Sequence, residues 1–191
     1  MDHLWSPWRY RYVSSGGPKD VCLFCEKAAA SNDREDYIVL RAEHNFVLLN
    51  LYPYTSGHVM VVPYAHVATL EQAEPATLDE MMRLTARCEM ALHELYKPDG
   101  INLGMNIGAC AGAGVAGHIH MHVLPRWCGD ASFITTVSET RVLPEELEVT
   151  WEKLRGALNQ PVPPPEFPSP RAQIRSLGLD SCPGQASRPV V

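Results

Sequence analysis

Residues 118–123 combine three histidines with three apolar residues in strict alternation, in the order His-Ile-His-Met-His-Val. Successive side chains of an extended strand point to opposite faces of a sheet, so His118, His120 and His122 share one face and the apolar residues fix the other on a core. Near neutral pH an imidazole can act as nucleophile, acid, base or metal ligand. Three imidazoles on one rigid strand therefore indicate chemistry rather than packing.

A histidine nucleophile suits phosphoryl or nucleotidyl transfer, because covalent catalysis splits one difficult displacement into two easier ones. The nucleophile must be neutral and must carry its proton on the other ring nitrogen, which a hydrogen bond to a backbone carbonyl would ensure. His120, in the centre, is the predicted nucleophile. His122 is predicted to bind a phosphate oxygen or to help protonate the leaving group.

A glycine-rich loop at residues 106–117 directly precedes the histidines. Its glycines, among them Gly112 and Gly114, let backbone N–H groups approach an anion closely. The alternative interpretation is a plain flexible hairpin loop. The position of the loop next to the histidine strand favours phosphate binding.

Cys22 and Cys25 have the spacing of metal ligands, and two more ligands would complete a tetrahedral zinc site. His66 and His118 are the candidates for those ligands. The alternative is two ordinary buried cysteines. Three other polar residues beside loops, Asn50, Asn106 and His58, are by themselves more typical of turns or packing than of ligand contacts.

Length and composition limit the class of protein. The chain has 191 residues, enough for one domain with a sizeable core and a tail, and a net charge of −6. The acidic balance argues against broad binding to nucleic acid or to anionic membranes. With no apolar run long enough to span a membrane and no apolar signal core at the N-terminus, we predict a soluble, cytoplasmic protein.

The elements that must position these residues are predicted from periodicity. Five strands are predicted at 37–42, 45–51, 58–63, 101–107 and 118–125, a main helix at 75–96 and a last helix at 144–158. This is an α+β domain with a mostly antiparallel sheet.

Two further segments flank the predicted domain at 21–158. Residues 1–20 form an N-terminal arm, and residues 159–191 form a proline-rich tail that holds half of the 16 prolines. The tail has almost no apolar periodicity, so it is predicted to be disordered.

These residues resemble the histidine triad (HIT) superfamily of nucleotide hydrolases and transferases. Residues 118–124 match its pattern of three alternating histidines, and the segments 4–9, 50–63 and 125–133 look like the bacterial branch that includes diadenosine tetraphosphate phosphorylases. The resemblance covers about residues 4–158. It implies a HIT-like fold, with a five-stranded sheet that dimerises into a homodimer.

The resemblance also implies roles for single residues. His120 would form a nucleotidyl-histidine, His122 would contact the transferring phosphate, Asn50 would hold the ribose hydroxyls and Asn106 would lie near the phosphates. Structural zinc would be held by the four residues that match the ligands of zinc-bearing members: Cys22, Cys25, His66 and His118.

The implied function is cleavage of an adenine nucleotide from a dinucleoside polyphosphate, such as diadenosine tetraphosphate, with phosphate or water as acceptor. Two departures leave the acceptor open: no Ser or Thr precedes the histidines in the loop, and Gly117 stands where related sequences often carry an acid. The alternatives are a nucleoside phosphoramidase of the same superfamily and a catalytically weak nucleotide-binding protein.

Overall fold

A computed structural model describes residues 21–130 and 145–160. The predicted N-terminal arm, most of the predicted tail and residues 131–144 lie outside the described residues. The elements in chain order are helix α1 (Leu23–Ala29), strands β1 (Ile38–Arg41), β2 (Asn45–Leu49) and β3 (Val59–Pro63), helix α2 (Pro75–Tyr96), strands β4 (Gly100–Gly104) and β5 (Met121–Arg126), and helix α3 (Leu147–Leu158).

The five strands form one sheet in the spatial order β1-β2-β3-β5-β4, and each neighbouring pair is antiparallel. This confirms the predicted α+β class with its five-stranded sheet. The strand β5, which follows the glycine-rich loop, lies between β3 and β4, so two earlier segments of the chain flank it and its His122. Among the described elements, no helix is both long and apolar enough to cross a membrane.

Alternation along the strands divides the buried side chains between the two faces of the sheet. On one face Val47, Val59 and Val61 pack with α2 and α3 in the larger core, to which Ile119 and Val123 also belong. On the other face a smaller core surrounds Phe24 of α1; its remaining buried members are Ile38, Phe46, Leu48, Met60 and Val62. The predicted apolar anchor of the histidine segment is therefore confirmed.

Helix α2 begins at Pro75, in the first turn where a missing N–H costs no helical bond, and ends before Lys97, which has a left-handed φ of 46°. Its Glu80 carboxylate accepts hydrogen bonds from the backbone N–H groups of Glu43 and His44 and from Asn45 Nδ2, at 2.8–3.1 Å. Burial opposes ionisation of Glu80, but these bonds hold its pKa below the ordinary value. The contact ties the β1–β2 turn to α2.

Several strand boundaries differ by one residue from the predicted ones, and three differ by more. Strand β2 ends at Leu49, β4 covers Gly100–Gly104, and β5 begins at Met121 rather than at His118. The pairing of β3 with β5 stops at Val61↔Met121. Beyond it, the Ile119 N–H donates to the carbonyl of Val67, which follows the proline at the end of β3, so residues 118–120 pair with a loop and not with a strand.

Candidate active site

His120 is held so that one particular ring nitrogen can react. Its Nδ1 lies 2.9 Å from the backbone carbonyl of His118, and since a carbonyl can only accept, Nδ1 carries the proton. The Nε2 lone pair has no partner in the described part of the chain. Burial lowers the pKa of His120, although the bond to His118 acts in the opposite direction. His120 is therefore a neutral imidazole with Nε2 as the nucleophilic atom.

A second histidine, His58, determines which ring nitrogen of His122 carries the proton. The Tyr54 N–H donates to His58 Nδ1 at 3.2 Å, so His58 carries its proton on Nε2. His58 Nε2 lies 2.9 Å from His122 Nδ1 and donates to it. His122 then carries its own proton on Nε2, where it can donate a hydrogen bond to a substrate oxygen.

Both of these histidines are kept neutral by burial. Burial and the nearby His122 and His120 lower the pKa of His58 to about 3. Burial, followed by the influence of His120, lowers the pKa of His122 to about 4. At neutral pH both imidazoles are therefore uncharged, and the hydrogen bonds of His58 still determine which nitrogen of His122 carries the proton.

The interpretation of His58 as a turn or packing residue did not include its hydrogen bond to His122. It is 1% exposed and lies against His122, 64 positions away in the sequence. Met60 lies opposite His122 in the β3–β5 register. Because alternate residues share a face, His58 is on the histidine face of the sheet as soon as that pairing is known.

A cavity of about 260 Å³ opens beside these histidines. The structure brings together in its lining every predicted nucleotide-contacting residue: Asn50, Asn106, Gly112, Gly114 and His122, with His120. The other walls are mostly apolar and include Leu23, Phe24, Leu48, Met60 and Val115. Such a cavity combines an apolar surface with a small number of convergent polar groups, as ligand sites do.

The glycine-rich loop has the backbone conformation that glycine favours. Gly108 and Gly112 have φ values of 85° and 90°, on either side of a single 3₁₀ turn at Ala109–Ala111. An L-residue with a side chain rarely adopts these angles. The sequence of the loop therefore matches a tight fold along the cavity rather than a plain flexible hairpin.

The four predicted metal ligands, one of which is His118, lie close together. One ligand atom from each of Cys22, Cys25, His66 and His118 lies within 4.8 Å of the other three. Nδ1 of His118 is 3.4 Å from Cys22 Sγ, and Nδ1 of His66 is 3.3 Å from Cys25 Sγ. Two thiolates and two imidazoles are a donor set that zinc accepts in tetrahedral geometry.

The second ring nitrogen of His118 supports the same interpretation. Nε2 lies 2.8 Å from the carbonyl of Pro63, so it carries the proton and leaves the Nδ1 lone pair for a metal. The backbone of His118 also holds His120, as described above. The cluster and the nucleophile are thus joined through one residue.

The C-terminal end of helix α1 is held by an arginine. Arg41 donates to the carbonyls of Ala28 and Ala30 at 2.8 Å each, and it pairs with Asp33 at 2.8 Å. These contacts satisfy carbonyls that the end of a helix leaves open. The helix that, with the residue before it, carries two thiols and one wall of the cavity is therefore anchored from both ends.

Comparisons with known proteins agree with this geometry. The family model "HIT domain" matches residues 31–128. An "AP-4-A phosphorylase" from Mycobacterium tuberculosis is 38% identical over 160 residues, which cover 78% of this chain and 80% of that protein.

Solved structures agree as well. A zinc-bound histidine triad family protein from Mycobacterium smegmatis is 31% identical with a TM-score of 0.60, and the match covers 73% of this chain and 94% of that one. A hypothetical histidine triad nucleotide-binding protein from Sulfolobus tokodaii is 30% identical with a TM-score of 0.58, covering 72% and 91%. The alternating histidines, the sheet that carries them and these matches together show that this chain belongs to the HIT family.

Proposed function

We propose that this protein cleaves dinucleoside polyphosphates, such as diadenosine tetraphosphate, by transferring a nucleotidyl group first to His120 and then to phosphate or water. The observation that carries the proposal is the bond from His120 Nδ1–H to the His118 carbonyl at 2.9 Å. It fixes the proton on one nitrogen and leaves Nε2 available as a nucleophile in a cavity lined by the residues predicted to contact a nucleotide.

In the first step His120 Nε2 attacks the α-phosphorus. A nitrogen–phosphorus bond forms, and the bond from that phosphorus to the bridging oxygen breaks. The leaving polyphosphate takes the electron pair, and His122 Nε2–H donates a hydrogen bond that stabilises the developing negative charge. His58 keeps that proton in place because it donates to the opposite nitrogen of His122.

In the second step an oxygen of the acceptor attacks the same phosphorus from the side that the leaving group vacated. The nitrogen–phosphorus bond breaks, its electron pair returns to His120, and the proton that the acceptor loses passes to the solvent. Phosphate would yield a nucleoside diphosphate and water a monophosphate. The name of the Mycobacterium tuberculosis relative favours phosphate.

The cavity residues would hold the rest of the nucleotide. We assign the ribose hydroxyls to Asn50 and the phosphates to Asn106 and to the loop backbone at Gly112 and Gly114. All four residues line the cavity that contains His120. The apolar walls would receive the base.

We further propose that the cysteine–histidine cluster holds a structural zinc ion. The tetrahedral donor set, the orientation of His118 and the zinc-bound Mycobacterium smegmatis relative support this. The ion would be bound by Cys22, Cys25, His66 and His118, and would fasten α1 to the segment that carries His120. It takes no part in the proposed transfer.

We also propose a homodimer that joins two sheets. Among the described strands, β4 pairs only with β5, so one side of β4 is an edge. Its Leu103 is 47% exposed, and an exposed apolar edge strand favours pairing with another chain. Light scattering on the purified protein tests this: a mass of one chain would contradict it.

The function is tested by incubating the purified protein with diadenosine tetraphosphate, with and without inorganic phosphate. Phosphate-dependent ADP plus ATP identifies a phosphorylase, and AMP plus ATP in either buffer identifies a hydrolase. We expect His120→Ala to lower turnover at least about a thousandfold without unfolding the protein, since the nucleophile is lost.

The matched control is His93→Ala, which removes an exposed histidine from α2 and should leave turnover unchanged. Full turnover by folded His120→Ala would contradict the proposal. Absence of products from the wild type would contradict it as well. Cleavage of a nucleoside phosphoramidate instead of diadenosine tetraphosphate would identify a phosphoramidase. Binding of nucleotide without turnover would identify a nucleotide-binding protein.

A further inference from the structure

One charged side chain lies in the wall of the cavity, at a place where the mechanism above does not use it. Lys27 follows Phe24 by three residues and Leu23 by four, and all three line the cavity. This spacing places them on one face of α1, with Lys27 about one turn, roughly 5.4 Å, along from Phe24. The ring of Phe24 contacts that of His120, with centroids 5.0 Å apart.

Lys27 is almost completely buried, with 8% of the residue exposed. Its ammonium is held by Asp36, through Oδ1 at 2.9 Å and the backbone carbonyl at 3.3 Å. Lysine is rarely buried to this extent without a partner. The ion pair therefore explains how the charge is tolerated, but it does not explain why a lysine stands in an apolar wall.

An ammonium has three N–H donors, and Asp36 receives two of them. No acceptor for the third is found within residues 21–130 and 145–160. The neighbouring wall residues Leu23, Phe24 and Leu48 can contact a base but cannot tell one base from another. Since Lys27 lines the cavity, a base with an acceptor atom against this wall would offer that third N–H a partner.

We propose that Lys27, positioned by Asp36, sets the base preference of the site and favours a 6-oxopurine over a 6-aminopurine. This inference rests on the proposed function. A lysine N–H complements the O6 and N7 acceptors of guanine, whereas adenine presents an amino donor at position 6. A site that hydrogen-bonds a substrate group discriminates against an analogue without it, because its polar group is left unpaired.

The inference is tested first on the wild type by measuring the binding of AMP, GMP and IMP by calorimetry. IMP carries the 6-oxo group of GMP without its amino group. We expect GMP and IMP to bind about tenfold more tightly than AMP. Equal affinities for the three nucleotides would overturn the inference.

The variants then assign the preference to this lysine. Lys27→Met keeps an apolar chain of similar length, and Lys27→Met with Asp36→Asn also removes the charge that the first substitution leaves unpaired. We expect the affinity ratio of GMP to AMP, and the ratio of kcat/KM for diguanosine and diadenosine tetraphosphate, to fall by about tenfold in both. A folded variant with unchanged ratios would overturn the inference.

The matched control is Lys153→Met, which removes a lysine paired with Glu145 on α3. It should change neither ratio. If the protein turns over its substrates but neither the affinity ratio nor the kcat/KM ratio depends on Lys27, only the inference about the base is contradicted. Lys27-dependent nucleotide binding without turnover contradicts the proposed function alone. Absence of binding for all three nucleotides contradicts both.

Discussion

At the scale of single residues, the site depends on which nitrogen of each histidine carries its proton. The His118 carbonyl sets the tautomer of His120, and the Tyr54 N–H sets that of His122 through His58. In both cases a backbone group determines which ring nitrogen carries the proton. His120 therefore presents a lone pair to the cavity and His122 presents an N–H, while both imidazoles are neutral.

The lowered pKa values predict an unusual acid limit for activity. Since the pKa of His122 is about 4 and burial also lowers that of His120, both stay neutral below pH 6.5, and kcat/KM should be retained below that pH. A solvated histidine would instead protonate near pH 6.5. The measurement is kcat/KM from pH 4.5 to 8. A loss of activity centred on pH 6.5 in folded protein would contradict the prediction.

Folding must be monitored at each pH of that experiment, because stability falls in the same range. His58 has a pKa of about 3 in the folded chain, well below the value of an unfolded histidine. The unfolded chain therefore binds more protons between these values, and the free energy of unfolding decreases as the pH falls below about 6.5. The control variant His93→Ala, at an exposed position on α2, should show the same profile as the wild type.

At the scale of elements, Gly57 determines how the loop before β3 delivers His58. Its φ is 82°, and a Cβ there would lie 3.0 Å from Leu92 Cδ2 and 3.3 Å from both Pro125 and Tyr96. We expect Gly57→Ala to destabilise the protein by about 2 kcal/mol or more, from backbone strain and overpacking together. Thermal or denaturant unfolding measures this change.

The matched control for Gly57→Ala is Gly156→Ala on α3. A Cβ added at Gly156 would have no heavy atom of another residue within 4 Å, apart from its own helix backbone and chain neighbours, and the φ of Gly156 is not positive. Alanine is the better helix former, so this variant should gain up to about 1 kcal/mol. Equal stability of Gly57→Ala and the wild type would show that the loop can relax without cost.

The elements also show which features a sequence can reveal. Helix α2 was predicted at its observed bounds, because its apolar stripe and its Pro and Gly signals are local. The alternating pattern gave the face of each histidine correctly but not the start of β5. That start depends on Val61 and Val67, which lie more than 50 residues earlier in the chain. The role of His58 was missed for the same reason.

At the scale of the whole molecule, the site is assembled from segments that are distant in sequence. Helix α1 and the residue before it supply two thiols and the wall that contains Phe24 and Lys27, whereas His120 comes from the segment before β5. Helix α1 has only seven residues, too short to be stable by itself. Its position depends on Arg41 at one end and on the cysteine–histidine cluster at the other.

Metal removal is therefore expected to disturb the cavity as well as the stability. We expect about one zinc per chain in the wild type and far less in Cys22→Ser, because a tetrahedral site loses a thiolate. Cys110→Ser removes an exposed free cysteine outside the cluster and should keep its zinc. Cys22→Ser, or the chelated wild type, should melt at least about 5 °C lower, because the ion stabilises only the folded chain.

Nucleotide binding shows whether loss of the metal disturbs the cavity or only the metal site itself. Because α1 forms one wall of the cavity, loss of the metal should weaken AMP and GMP binding, and added zinc should restore it to the chelated wild type but not to Cys22→Ser. The proposed transfer uses no metal, so the remaining turnover at saturating substrate should change less than KM. A metal-free protein with unchanged melting temperature and unchanged KM would show that Arg41 and the smaller core suffice to hold α1.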